Sequence, residues 1–281
     1  MSSADRDIIA GLLDGLDIRS AGFIVTVYGD VVVPRGGVLW TGTLIAICGE
    51  VGINESLVRT AVSRLVAAHR LTGERAGRRS YYRLDASARQ EFDAAAALLY
   101  AEDKPARGWQ ILHAPAMTPE AARGLRLGHM GGPVWIRPDR GRPAPEGAIC
   151  FPAADPPVLG EVAQFWDLSD LDLRYRDLLA RFGDLAGIAP DGGLADLTAL
   201  VARLLLVHVY RGVMLRDPRL PQGALPPGWK GQEARALFRG LYAALTPQAE
   251  RYVAAHFEGV GGLLPARTPQ TEARLAGVLA S

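Results

Sequence analysis

The stretch from Asn54 to Leu84, NESLVRTAVSRLVAAHRLTGERAGRRSYYRL, governs the reading of the chain. Asn54 is a good N-cap, because its side-chain oxygen can accept from the free backbone N–H groups of a helix start. Glu55 puts a carboxylate in the first turn, where it complements the helix dipole. The helix is expected to run to about His69. At roughly 100° per residue, Val58, Ala61, Val62 and Leu65 share one face, while Ser56, Arg59, Thr60 and Ser63 share the opposite one. That second face is short and polar, with one arginine and no acid, which suits a helix lying close in a groove. An ordinary solvated face would mix both signs on longer side chains. Leu71 to Arg75 and Arg78 to Leu84 then flank Ala76-Gly77 and read as a β-hairpin. In its second strand Ser80, Tyr82 and Leu84 alternate with Arg79, Tyr81 and Arg83.

Upstream, Trp40, Leu44, Ile45 and Ile47 fall near helical spacing and Gly49 supplies a stop, so a short helix precedes the one at Asn54. Residues 18–28 are rich in apolar side chains and on pattern alone fit a buried helix or a buried strand. Gly29-Asp30 and Pro34-Arg35-Gly36-Gly37 punctuate that segment as turns. A helix, a short turn, a second helix and an arginine-tipped hairpin make a winged helix-turn-helix.

Charge locates the partner. The 281 residues are 49 % hydrophobic and 22 % charged, the balance of globular domains, and 31 cations against 30 anions leave a net charge of +1. No bulk charge draws the molecule to nucleic acid or membrane. Only Lys104 and Lys230 are lysines, so the cations are nearly all arginines. Between Asn54 and Arg83, however, Arg59, Arg64, Arg70, Arg75, Arg78, Arg79 and Arg83 face only Glu55 and Glu74, while the first hundred residues sum to zero. A basic helix and hairpin inside a neutral segment is the footprint of a DNA-binding element. Candidate contacts are Ser56, Arg59, Thr60, Ser63 and Arg64 on the helix, and Arg75, Arg78, Arg79 and Tyr81 on the hairpin. Arg59 is the candidate for sequence discrimination, since a guanidinium can donate two bonds to guanine; its structural alternative is a surface pair with Glu55 one turn earlier. The hairpin arginines suit phosphates or the minor groove, positioning without specifying.

Residues 86–100 read as an alanine-rich helix closing a first domain, 1–100, and Glu102-Asp103-Lys104-Pro105 reads as a linker. In a middle domain, 101–168, residues 108–115 form a strand. Thr118-Pro119-Glu120-Ala121 opens a helix ending near Gly128, and Val134-Trp135-Ile136 and Ala148-Ile149-Cys150-Phe151 are further strands around a turn-rich connection. Helical periodicity dominates 169–281. The fold class is α+β and multidomain. Residues 1–15 lack the basic-then-apolar pattern of a signal peptide, and the apolar run from Leu197 to Leu215 is broken by Arg203, His208 and Arg211, so a cytoplasmic protein without a membrane partner is expected. Cys48 and Cys150 have no metal spacing and read as reduced thiols. No nucleophile elbow, phosphate loop or dinucleotide fingerprint occurs, and residues 108–115 offer no acid for metal-dependent cleavage. Neither an enzyme nor a metal or cofactor site is expected.

Several strings together resemble the PaaX family of transcriptional repressors, over most of the chain. They are Tyr28-Gly29-Asp30, Pro34-Arg35-Gly36-Gly37 with Trp40, Val58-Arg59-Thr60-Ala61-Val62-Ser63-Arg64-Leu65 and Gly77-Arg78-Arg79-Ser80-Tyr81-Tyr82-Arg83-Leu84. Further on come Gly132-Pro133-Val134-Trp135-Ile136-Arg137-Pro138, Phe165-Trp166-Asp167-Leu168, Leu206-Val207-His208-Val209-Tyr210-Arg211, Leu215-Arg216-Asp217-Pro218, Pro226-Pro227-Gly228-Trp229 and Glu233-Ala234-Arg235-Ala236-Leu237-Phe238. The resemblance implies a winged-helix DNA-binding domain, a ferredoxin-like middle domain and a helical C-terminal domain. It implies a homodimer on double-stranded operator DNA, repressing phenylacetate catabolism and released by the effector phenylacetyl-CoA. A departure lies in residues 139–147, too short for the helix usual between the last two middle-domain strands, so a trimmed ferredoxin-like fold is expected. An acyl-CoA needs cations beside apolar walls, and Trp135, Arg137, His208, Arg211 and Arg216 are the candidate effector contacts. Alternatives are a regulator of the same build sensing a different aromatic acyl-CoA or aromatic acid, and one binding no small molecule.

Overall fold

The computed structural model describes residues 2–189 and 192–280. The chain opens with helices α1 (Ser3–Leu13) and α2 (Ser20–Val27), strand β1 (Val38–Trp40), helices α3 (Thr41–Gly49) and α4 (Glu55–Ala67), and strands β2 (Leu71–Ala76) and β3 (Arg79–Leu84). Helix α5 (Arg89–Tyr100) leads to β4 (Trp109–His113), α6 (Pro119–Leu125), β5 (Gly128–Gly131), β6 (Val134–Pro138) and β7 (Ile149–Ala153). Then follow α7 (Ser169–Phe182), α8 (Leu185–Ile188), α9 (Asp196–Met214), α10 (Gly231–His256), β8 (Glu258–Gly259), β9 (Gly262–Leu263) and α11 (Pro269–Leu279). The architecture is α+β, with small antiparallel sheets among helices.

Contacts gather the chain into two compact units, drawn differently from the three consecutive segments expected. The first takes Met1–Glu102, Leu178–Arg211 and Arg235–Ser281; the second takes Asp103–Asp177 and Gly212–Ala234. Residues 169–281 are therefore shared between the two units, because helices distant in sequence supply the core of the first.

In the first unit, residues 18–28 resolve to a helix: α2 buries Phe23, Ile24 and Val27, and a π-helical turn at Tyr28–Val32 continues it. Helix α4 starts where Asn54 caps it, Oδ1 accepting from Leu57 N at 3.0 Å, and buries Val58, Ala61, Val62 and Leu65. The hairpin turns at Gly77, whose φ of +61° is a conformation that favours glycine. A strand missing from the sequence reading, β1, pairs with β3 and makes a three-stranded sheet of order β1-β3-β2. At three residues it is too short to show alternation.

Four charged side chains far apart in sequence meet in this core. Arg203 lies between Asp30, with Nε 3.1 Å from Oδ2, and Glu250, with Nη1 2.8 Å from Oε1. Glu250 also pairs with Arg35, whose Nε and Nη1 donate to Pro265 O (2.9 Å) and Val31 O (2.8 Å). Tyr100 and Tyr242 donate their hydroxyls to Asp30 Oδ1, at 2.9 and 3.0 Å. The network ties the turn after α2 to α5, α9 and α10. Helix α9 is long and apolar enough to cross a membrane by length and composition, but it is mostly buried inside the protein and Arg203 sits within it, so it is a core helix.

In the second unit, an antiparallel sheet of order β5-β6-β4-β7 carries α6. Leu112, Ala122, Leu127 and Trp135 make its apolar core. Strand β5, Gly-His-Met-Gly, was not readable because it lacks an apolar alternation. Its Gly128 lies flat against Trp166, where a Cβ would come within 2.6 Å of the indole, so no larger residue fits without a shift. No helix joins β6 to β7. That loop is held instead by Arg137, which donates to the carbonyls of Arg142 (3.1 Å) and Pro143 (2.7 Å) and to Gln110 Oε1 (2.7 Å).

Candidate nucleic-acid interface and effector cavity

Ser56, Arg59, Thr60, Ser63 and Arg64 are all exposed, on the side of α4 away from its buried row. Arg59 takes the structural alternative at rest: its Nε donates to Glu55 Oε1 at 2.8 Å, with both side chains more than half exposed. Such an i,i+4 surface pair is worth only about 0.3–0.5 kcal/mol, so it yields easily to a stronger acceptor.

Folding brings carboxylates from elsewhere to the basic segment. Arg70 pairs with Glu91, Arg83 with Glu74, and Arg79 with Glu258 of β8, while Arg79 also lies over the Trp40 ring at 4.6 Å. Glu91 and Glu258 lie outside residues 54–83, so the effective positive excess of the helix and hairpin is smaller than their own residues suggest. Among the described residues Arg64, Arg75 and Arg78 make no ion pair, and all three are exposed, Arg75 and Arg78 flanking the hairpin turn. Tyr81 departs from the expectation of a DNA contact. It is only 5 % exposed, on the middle strand of the sheet, in register between Trp40 of β1 and Glu74 of β2. Alternation keeps it on the face of Arg79, with which its side chain hydrogen-bonds, and there it is covered.

The candidate effector residues fall into separate surroundings. Trp135 and Arg216 line one cavity of about 900 Å³ in the second unit, together with Met117, His129, Phe165 and Trp166. His129 packs on Trp135, ring centroids 4.6 Å apart, and Trp166 donates Nε1 to Arg126 O at 3.2 Å. Its walls are largely aromatic and thioether, with Arg123, Arg126 and Arg216 and the carboxylates Asp167 and Asp170 also lining it, which suits a mainly apolar ligand that carries a polar group. Arg126 is a cavity residue the sequence reading missed; nothing marked it, since it follows α6 as a left-handed cap with φ +62°. Arg137 does not line this cavity, because its guanidinium is spent on the β6–β7 loop.

His208 and Arg211 belong to the first unit and serve α2. His208 Nδ1 lies 3.0 Å from Thr26 Oγ1 with the ring edge-on to Phe23, and Arg211 Nη2 donates to Gly22 O at 3.1 Å. Both side chains therefore pack against α2, in the first unit, away from the cavity that Trp135 and Arg216 line. Burial, and secondarily Arg211, push the His208 pKa down to about 4. A folded-state pKa below the unfolded value of about 6.5 means that the unfolded chain binds the extra proton. Stability is therefore complete above pH 6.5 and falls as pH drops from 6.5 toward 4, by on the order of 3 kcal/mol in all. Denaturant melts at stepped pH are expected to show this slope in the wild type and to lose most of it in His208→Gln.

Comparison with known proteins fits this geometry. Residues 19–88, from α2 through the hairpin, match the family described as PaaX-like protein, and residues 166–255 match the PaaX-like protein C-terminal domain. Transcriptional repressor PaaX of Escherichia coli (strain K12) is 28 % identical over 293 residues, covering 95 % of this chain and 92 % of that protein. Among solved structures, uncharacterized protein Rv0674 from Mycobacterium tuberculosis superposes with a TM-score of 0.48 at 22 % identity, over 74 % of this chain and 88 % of that one. The two family matches together span more than half of the residues and include both α4 and the buried ionic network: the chain belongs to the PaaX family of transcriptional repressors, which are regulators and not enzymes.

Proposed function

We propose that the chain is a cytoplasmic, homodimeric repressor whose α3, α4 and β2–β3 hairpin act as a winged helix-turn-helix. The observation that carries this is the exposed Ser56–Arg59–Thr60–Ser63 face of α4 beside the exposed Arg64, Arg75 and Arg78, which make no ion pair among the described residues. In this reading α4 enters the major groove, where Arg59 leaves Glu55 for a guanine edge and the hydroxyls approach bases or phosphates. Arg75 and Arg78 hold the hairpin to the backbone, and operator half-sites lie about one helical turn, or a multiple, apart. The β5-β6-β4-β7 sheet with α6 reads as a ferredoxin-like fold that has lost its second helix to the loop at 139–147.

The effector in this reading is an aromatic acyl-CoA, phenylacetyl-CoA, and the repressed genes are those of phenylacetate breakdown. The cavity of the second unit supports it, because Trp135 and Trp166 offer aromatic walls to an aryl group and Arg126 and Arg216 line it too. A mobility-shift assay on operator DNA, titrated with phenylacetyl-CoA, free phenylacetate and benzoyl-CoA, is the test. Release by phenylacetyl-CoA at the lowest concentration is expected. Earlier release by benzoyl-CoA or the free acid would reassign the effector, and release by none would remove it.

A further inference from the structure

Beside that cavity the second unit gathers five arginines, Arg126, Arg137, Arg140, Arg142 and Arg219, around a small cleft also lined by Pro138 and Pro218. Three carboxylates stand near them, and each is already engaged. Asp103 accepts from Arg140 at 3.0 Å and pairs with Arg219. Asp139 Oδ1 accepts from Gln110 Nε2 (3.1 Å) and Gly141 N (2.9 Å), and Asp217 accepts from the Tyr175 hydroxyl and from Arg219 N. The hydrogen bonds of Arg137 go to neutral oxygens. Arg126 Nη1 and Arg219 Nε are buried with no hydrogen-bond partner among the described residues, and Arg142 makes no ion pair there and is exposed.

Buried guanidinium N–H groups without an acceptor are costly, and like charges this close repel one another. The strain is visible in Arg126, whose pKa is pushed down to about 10, first by burial and then by Arg142 and Arg219. An anion with several oxygens would relieve both costs at once, by accepting from Arg126 and Arg219 and by neutralising the excess charge. The enclosed part of the cleft is only about 20 Å³, room for a phosphoryl oxygen and not for a base or a ring. Arg126 and Pro218 line both this cleft and the 900 Å³ cavity, so a charged group held here continues directly into the aromatic walls.

We propose that these arginines are a binding site for a phosphoryl group, docked at the mouth of the cleft between Arg126, Arg142 and Arg219, with the rest of its ligand running into the cavity. The site deepens the effector reading and rests on it for the identity of the ligand, since a CoA thioester carries both phosphates and an apolar tail. The charge class rests on the arginines themselves.

Calorimetry on the full chain with inorganic diphosphate and with adenosine 3′,5′-bisphosphate tests it, using wild type, Arg142→Ala and Arg126→Gln. Arg142 is exposed, so its variant is expected to melt with the wild type and serves if Arg126→Gln is unstable. The expected result is binding of both probes by the wild type and at least about tenfold weaker binding by Arg142→Ala. Tighter binding of the bisphosphate than of diphosphate points to a nucleotide or CoA source, and the reverse to a free phosphate anion; either supports the site. No binding of either probe, or wild-type binding by both variants, overturns it. So does an Arg142→Ala protein that binds both probes as wild type but has a shallower salt dependence for DNA, which assigns the arginine to nucleic acid. Phenylacetyl-CoA that releases DNA from wild type and Arg142→Ala at one concentration also overturns the site while leaving the effector reading intact. Probes that bind through the arginines while phenylacetyl-CoA releases nothing support the site and remove only that reading.

Discussion

Arg203→Ala is expected to lower the melting temperature by on the order of 10 °C, followed by circular dichroism. Arg203 is 1 % exposed and stands between Asp30 and Glu250, at 3.1 and 2.8 Å. Removing it leaves two carboxylates in the core, Asp30 without its ion-pair partner and Glu250 with Arg35 as its remaining one among the described residues. Breaking a buried pair by deleting one partner costs about 3–5 kcal/mol, because the surviving charge stays desolvated. In a chain of this size each kcal/mol moves the transition by roughly 2–4 °C. Asp30→Asn is expected to be milder than Arg203→Ala, since an amide oxygen still accepts from the Tyr100 and Tyr242 hydroxyls. A shift under about 2 °C for Arg203→Ala would mean that water reaches the network and screens it.

Arg59→Ala is expected to weaken operator binding by about 10- to 100-fold, the value of a bidentate arginine–guanine contact at about 1–3 kcal/mol. The resting pair with Glu55 opposes this little, because both side chains are exposed and the pair is weak. Fluorescence anisotropy with an operator duplex and a scrambled duplex separates the two possible roles. A base contact predicts the loss on the operator only. Equal losses on both duplexes would make Arg59 a phosphate contact, and specificity would then fall to the hydroxyls of Ser56, Thr60 and Ser63.

What could be read in advance follows from the range of the interactions. Asn54, the Val58–Leu65 row and the Gly77 turn act within a few residues of themselves, so α4 and the hairpin were legible. The loop between β6 and β7 was legible too, because residues 139–147 are too few and too rich in proline and glycine to form a helix. Alternation placed Tyr81 on the face of Arg79 and Arg83 but could not say that it would be covered there while the two arginines stay exposed. The network of Asp30, Arg35, Arg203 and Glu250 joins residues up to 215 positions apart, and no local pattern could have announced it. For the same reason the packing of His208 and Arg211 on α2 could not be read, and Arg126 went unnoticed beside the cavity it lines.

The central claim is that the face of α4 and the hairpin tip meet DNA, and the salt dependence of operator affinity tests it most directly. Each lost phosphate contact removes about 0.9 from the slope of log affinity against log salt. The Arg75→Ala/Arg78→Ala double variant is predicted to bind with a slope shallower than wild type by about two; an unchanged slope and affinity would contradict the account.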